Sequence, residues 1–227
     1  MTKVPVISQN KKVLLPAALL VAVLLLSGCQ EKKYLDKREE GAITPELKEA
    51  YYFQADLNRQ FSDPKDSPLK KKDLKRFEEL SFFPLNAAYR VKAQFSRSAD
   101  STPFWMPTTT GRKSRERIYG ILQFELDGQQ HQLQVYQEID TAGQASQGDL
   151  LFLPFGDDTN GQDSYPGGRY LDLSIPQGED VLLDFNQAYN PYCAYNAKYS
   201  CPLLPAQNRL SIEIPAGVKY PEPWQHK

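Results

Sequence analysis

Apolar and polar positions change their spacing three times along this chain. A nearly continuous apolar run occupies residues 13–26, broken only by Pro16. Beyond a charged stretch, apolar residues recur at helical spacing: Leu47, Tyr51, Leu57 and Phe61, then Leu69, Leu74, Phe77 and Leu80. Thr44-Pro45 and Ser67-Pro68 each supply an N-cap followed by proline at the first helical position, so two helices are predicted within residues 44–86. From residue 87 the period falls to two. Tyr89, Val91, Ala93 and Phe95 alternate with Arg90, Lys92, Gln94 and Ser96, the pattern of a half-buried strand. Residues 97–115 are polar and read as a loop with a short strand.

Residues 118–126 and 130–137 flank Asp127-Gly128, a hairpin signal. A two-residue turn there pairs Phe124 with His131, Leu122 with Leu133 and Gly120 with Val135. It places His131 on the face of Leu133 and Val135. Further strands are predicted at 150–154, 169–174, 180–185 and 210–214, separated by turn clusters. The predicted fold is mainly β with N-terminal helices. The β-domain, residues 87–227, is expected to be an antiparallel β-sandwich or half-open barrel.

The apolar run is too short for a comfortable membrane span, which takes roughly 20 residues. Lys3, Lys11 and Lys12 precede it, and no acid occurs before Glu31. This is the layout of an export signal. It ends Leu26-Ser27-Gly28-Cys29, which resembles the bacterial lipobox. That resemblance implies removal of residues 1–28 and acylation of Cys29, with two or three chains giving stable anchoring. Residues 29–43 then form a lipidated tether. Gln30 after the cysteine implies the outer membrane, facing the periplasm, in a host with two membranes.

Composition narrows the function classes. The 227 residues carry 27 basic and 28 acidic side chains, a net charge of −1. No basic footprint for nucleic acid is present. The lysines at 70–72 read as a solvated face. No Gly-x-Ser-x-Gly, phosphate-binding loop, dinucleotide fingerprint or His-Glu-x-x-His occurs. No cofactor is implied and no catalytic set can be named. With only His131 and His226 beside the cysteines, no metal site is expected.

The C-terminal half concentrates unusual residues. It contains Gly167-Gly168-Arg169-Tyr170, Asp184-Phe185-Asn186 followed by Tyr189-Asn190-Pro191, and Cys201-Pro202 followed by Asn208-Arg209-Leu210. These blocks, with the Asp157-Asp158-Thr159 turn, resemble the bacterial family of domain of unknown function 1684 over roughly residues 67–217. Tyr192 stands where that family usually has a second proline, and Val218 where it often has Glu. The resemblance supports a fold and implies no activity.

Chemistry is read from residue types. Cys193 and Cys201 are a disulfide candidate in an exported protein; closing so short a loop is worth roughly 2.5 kcal/mol. Seven of the 13 tyrosines lie between Tyr165 and Tyr220. Tyr165, Tyr170, Tyr189, Tyr192 and Tyr195 are candidates for a pocket with Asn186, Asn190, Asn208 and Arg209, open to a small molecule, glycan or peptide. Asp157, Asp158 and Thr159 form an acidic turn. Arg169, beside two glycines, offers a fork for a carboxylate or phosphate; the alternative is an internal pair with Asp172 or Asp184. Two readings follow: a binding or structural module of the envelope, or a hydrolase using Asp157 or Asp158 with Arg169.

Overall fold

A computed structural model describes residues 38–220. The export signal 1–28, Cys29, most of the tether and His226 lie outside the described residues. The chain divides into two units, 1–31 and 32–227, and all described residues belong to the second. Among the described residues no helix is long and apolar enough to cross a membrane.

Thr44 precedes a short 3-10 turn, Pro45–Leu47, which runs into helix α1, Lys48–Ser62. Leu47, Tyr51, Leu57 and Phe61 are all buried, as their spacing requires. The second predicted helix is reduced to a single turn, α2, Lys71–Leu74. Ser67 instead closes a tight turn: its hydroxyl donates to the Phe61 carbonyl and accepts from the Leu69 amide. Leu69, Phe77 and Leu80 are buried nonetheless, each from extended or irregular backbone.

Seven strands follow: β1 Arg90–Arg97, β2 Phe104–Pro107, β3 Lys113–Leu126, β4 Gln129–Glu138, β5 Leu150–Phe155, β6 Arg169–Ser174 and β7 Asp180–Asp184. They form one antiparallel sheet in the order β6-β5-β4-β3-β1-β7, with β2 also on β3. The sheet curls into a half-barrel. Beyond β7 the chain reaches back to the opposite edge, where Tyr170 and Tyr189 exchange two backbone hydrogen bonds of 2.9 and 3.0 Å. The β3–β4 hairpin turns at Asp127-Gly128, both with positive φ, and pairs Phe124 with His131, Leu122 with Leu133 and Gly120 with Val135.

Leu122, Leu133, Val135, Leu151, Leu153 and Leu171 fill the concave side. A second apolar cluster joins Phe61 of α1 to Tyr195, Val218 and Tyr220 of the C-terminal segment. The strand expected at 210–214 does not form. Leu210 and Ile214 are buried, but their segment is held by isolated bonds, such as Leu210 N–H to the Gly156 carbonyl at 2.8 Å. Asn208 takes the part of a neighbouring strand: its side-chain amide exchanges two 2.8 Å bonds with the backbone of Gln134 and donates to the Pro154 carbonyl at 2.6 Å.

Candidate functional site

Most of the signature residues build the fold. Arg169 is fully buried; its guanidinium donates to Asp157 Oδ2 at 2.6 Å, to the Ile214 carbonyl at 2.8 Å and to the Ala216 carbonyl. The expected partners, Asp172 or Asp184, are therefore replaced by Asp157. Burial pulls the Arg169 pKa down, while Asp157 opposes the shift. Asp157 Oδ1 also accepts from the Thr159 amide at 2.9 Å, the Thr159 hydroxyl at 2.5 Å and the Ile214 amide at 3.3 Å. Neither Arg169 nor Asp157 exposes side-chain surface, so this pair cannot touch a substrate as the hydrolase reading requires. Asp158 is exposed one residue away, on the turn. Gly168, with φ +87°, passes so close to the Phe155 carbonyl that a Cβ would stand 2.7 Å from it. That close approach is what the paired glycines permit.

The amides are likewise spent on backbone. Asn186 exchanges two 2.9 Å bonds with the backbone of Asn86, and its carbonyl accepts from Gln54 of α1. Asn190 donates to the Tyr195 hydroxyl and the Lys219 carbonyl, each at 3.0 Å. Asp184 caps the turn at Asn186 and sits 3.6 Å from Arg90. Tyr165 packs edge-on against Tyr220, Tyr195 is buried beside Phe61, and Arg209 is exposed on a bridge to Gly156. The expected Tyr/Asn/Arg pocket is thus not assembled: Tyr165, Tyr195, Asn186, Asn190, Asn208 and Arg209 do not line a common cleft.

A cleft of 430 Å³ lies elsewhere, on the face of the sheet opposite the core, under α1 and residues 191–202. Alternation explains its floor. Leu133, Val135, Leu151, Leu153 and Leu171 point into the barrel, so the row Ile118–Tyr136–Phe152–Asp172, in register across β3, β4, β5 and β6, points out, and its Phe152 and Asp172 line the cleft. Of the predicted site residues, Tyr170, Tyr189, Tyr192 and Cys201 line it, joined by Asp172. The rings touch in sequence: Phe152 to Tyr170 at 4.6 Å, Tyr170 to Tyr189 at 5.9 Å and Tyr189 to Phe53 at 6.4 Å between centroids. Tyr189 donates to Asp172 Oδ1 at 2.9 Å. Burial raises the Asp172 carboxyl above its usual range, and the tyrosine bond partly offsets this.

Two cleft acids escape sequence reasoning, Glu116 and Glu138. An unbroken hairpin register would set Arg117 opposite Glu138. A β-bulge between Ile118 and Gly120 shifts the pairing by one, so that Glu116 faces Glu138 and Arg117 faces Gln137. Glu116 is 2 % exposed. Its Oε1 accepts from the Ser114 hydroxyl at 2.6 Å, and its buried Oε2 has no hydrogen-bond partner among the described residues. Burial pushes the Glu116 carboxyl up to about 7; the Ser114 bond opposes this and Glu138 adds to it. Glu138 is half-buried and accepts from Gln147 at 3.1 Å. The cleft's one arginine, Arg112, donates to the Ser200 carbonyl at 3.1 Å.

Cys193 and Cys201 are adjacent free thiols. The Cys193 amide donates to Cys201 Sγ at 3.2 Å. A hydrogen bond from Cys201 brings the Cys193 thiol down to about 7, and the same contact raises Cys201. Among the described residues, no three His, Cys, Asp or Glu side chains converge to hold a metal ion.

No curated protein matches the chain. The solution NMR structure of an uncharacterized protein from Haloarcula marismortui is 33 % identical, with a TM-score of 0.61, over 75 % of this chain and 92 % of that one. The profile of the protein family of unknown function DUF1684 matches residues 75–219, which hold β1 to β7, the Arg169–Asp157 pair and the floor of the cleft. The chain belongs to that family.

Proposed function

We propose that this protein is a lipid-anchored binding module of the cell envelope, taking a small molecule, glycan or peptide group in the cleft between the sheet and residues 191–202. One observation carries the reading. Phe152, Tyr170 and Tyr189 form a continuous aromatic wall beside Asp172, which keeps surface open to the cleft while its carboxyl is partly desolvated and accepts from Tyr189. Aromatic walls with a few placed polar groups are the usual make-up of ligand sites. The basic and apolar leader ending at Cys29 supports acylation of that cysteine, with Gln30 favouring an outer membrane facing the periplasm. An oxidising compartment favours a Cys193–Cys201 disulfide along the cleft wall.

Two measurements test the reading on the full chain. Labelled palmitate is expected on the wild type and to be lost in Cys29→Ser; labelling independent of Cys29 overturns the anchor. Amines, monosaccharides and short peptides are screened by tyrosine fluorescence. Saturable binding by at least one class, weakened in Tyr189→Ala, supports the cleft. Binding unaffected by that change, or none across the panel, overturns it.

A further inference from the structure

We propose that the cleft selects ligands carrying a primary ammonium group, which docks between Glu116 and Glu138 while the ligand's apolar stem lies along the aromatic wall. The inference rests on the cleft being a ligand site, and it names the ligand's chemistry.

Charge comes first. Glu116, Glu138 and Asp172 face the cleft against the single guanidinium of Arg112, which is already donating to Ser200. Among the described residues no three His, Cys, Asp or Glu side chains converge to hold a metal ion. Geometry adds direction. Glu116 and Glu138 are cross-strand partners, and like charges directly opposite each other repel. Oε2 of Glu116 is a buried acceptor with no partner among the described residues, an arrangement that is costly unless something donates to it.

An N–H donor satisfies Oε2 and neutralises the repulsion in one step. A quaternary ammonium has no N–H and a neutral hydroxyl has no charge, so both are disfavoured. The aromatic wall suits the stem and can also attract the cation.

Calorimetric titration of the full chain in a non-ionic detergent tests this with three probes that share one phenylethyl stem: 2-phenylethylamine, its N-trimethyl derivative and 2-phenylethanol. The amine is expected to bind at least ten-fold more tightly than either analogue. Glu116→Gln, which keeps an acceptor for Ser114, should remove the amine's advantage over 2-phenylethanol. Glu138→Gln should weaken amine binding about ten-fold. Equal affinity for amine and alcohol overturns the ammonium inference and leaves the cleft as a ligand site. Failure of all three probes, together with failure of the sugar and peptide panel, overturns both.

Discussion

Glu116 and Glu138 stand directly opposite each other on β3 and β4, and Glu116 is nearly inaccessible to water. Its carboxyl is raised from 4.5 to about 7 by burial, with Glu138 adding to the shift. Between those values the folded chain holds a proton that the unfolded chain has lost. Stability therefore falls as pH rises through this window and levels off above about 7. Glu116→Gln should abolish its share of the fall and exceed the wild type above pH 7, by at most about 3 kcal/mol. Urea denaturation of both proteins from pH 5 to 8 checks this. A difference between them that does not vary with pH would exclude Glu116 as the source.

Arg169 and Asp157 form an ion pair with no exposed side-chain surface. Removing one partner leaves the other charged and buried. Asp157→Ala should cost about 3–5 kcal/mol, and a double replacement by apolar residues of similar volume should cost less than the single change. Chemical denaturation of the single and double variants measures both. A cost under about 1 kcal/mol for Asp157→Ala would show that the pair does not hold the C-terminal segment.

The thiols make a separate prediction. The Cys193 thiol is brought down to about 7, so alkylation of the reduced protein at Cys193 should follow a midpoint near pH 7. After oxidation, the wild type should exceed Cys201→Ser in stability by about 2.5 kcal/mol, and the difference should shrink under reductant. Thermal melts with and without reductant read this out. Identical melts under the two conditions would rule out the disulfide.

Gly168 holds φ +87° against the Phe155 carbonyl. Gly168→Ala forces a Cβ into a backbone atom and strains φ, so a loss of about 1–3 kcal/mol is expected. Gly143, also at positive φ but with open space around it, should lose less on the same substitution. Comparing the two unfolding midpoints separates the clash from the strain.

Local chemistry determined much of this fold from the sequence. Asp127-Gly128 sets the hairpin register next to the turn because a two-residue turn admits one pairing, and period-two alternation marks β1, whose alternate residues pack on the core. Long-range contact decided the rest. A buried asparagine has the same sequence signature whether it meets a ligand or, as with Asn186 and Asn86, backbone 100 residues away. Arg169 likewise reads as an anion fork until Asp157 is found beneath it.

Glu116 and Glu138 fall just outside the strand bounds 118–126 and 130–137 read from the sequence. Only the bulge at Ile118 and Gly120 brings them face to face, and only the packing around this end of the cleft takes Glu116 out of water. Turn type and alternation act between neighbours in the chain, so the sequence alone determined the β3–β4 turn and its register as far as the bulge, but neither the bulge itself nor the irregular backbone at 210–214. Burial depends on what folds over a residue from far along the chain, so the tertiary structure alone decided which acids line the cleft.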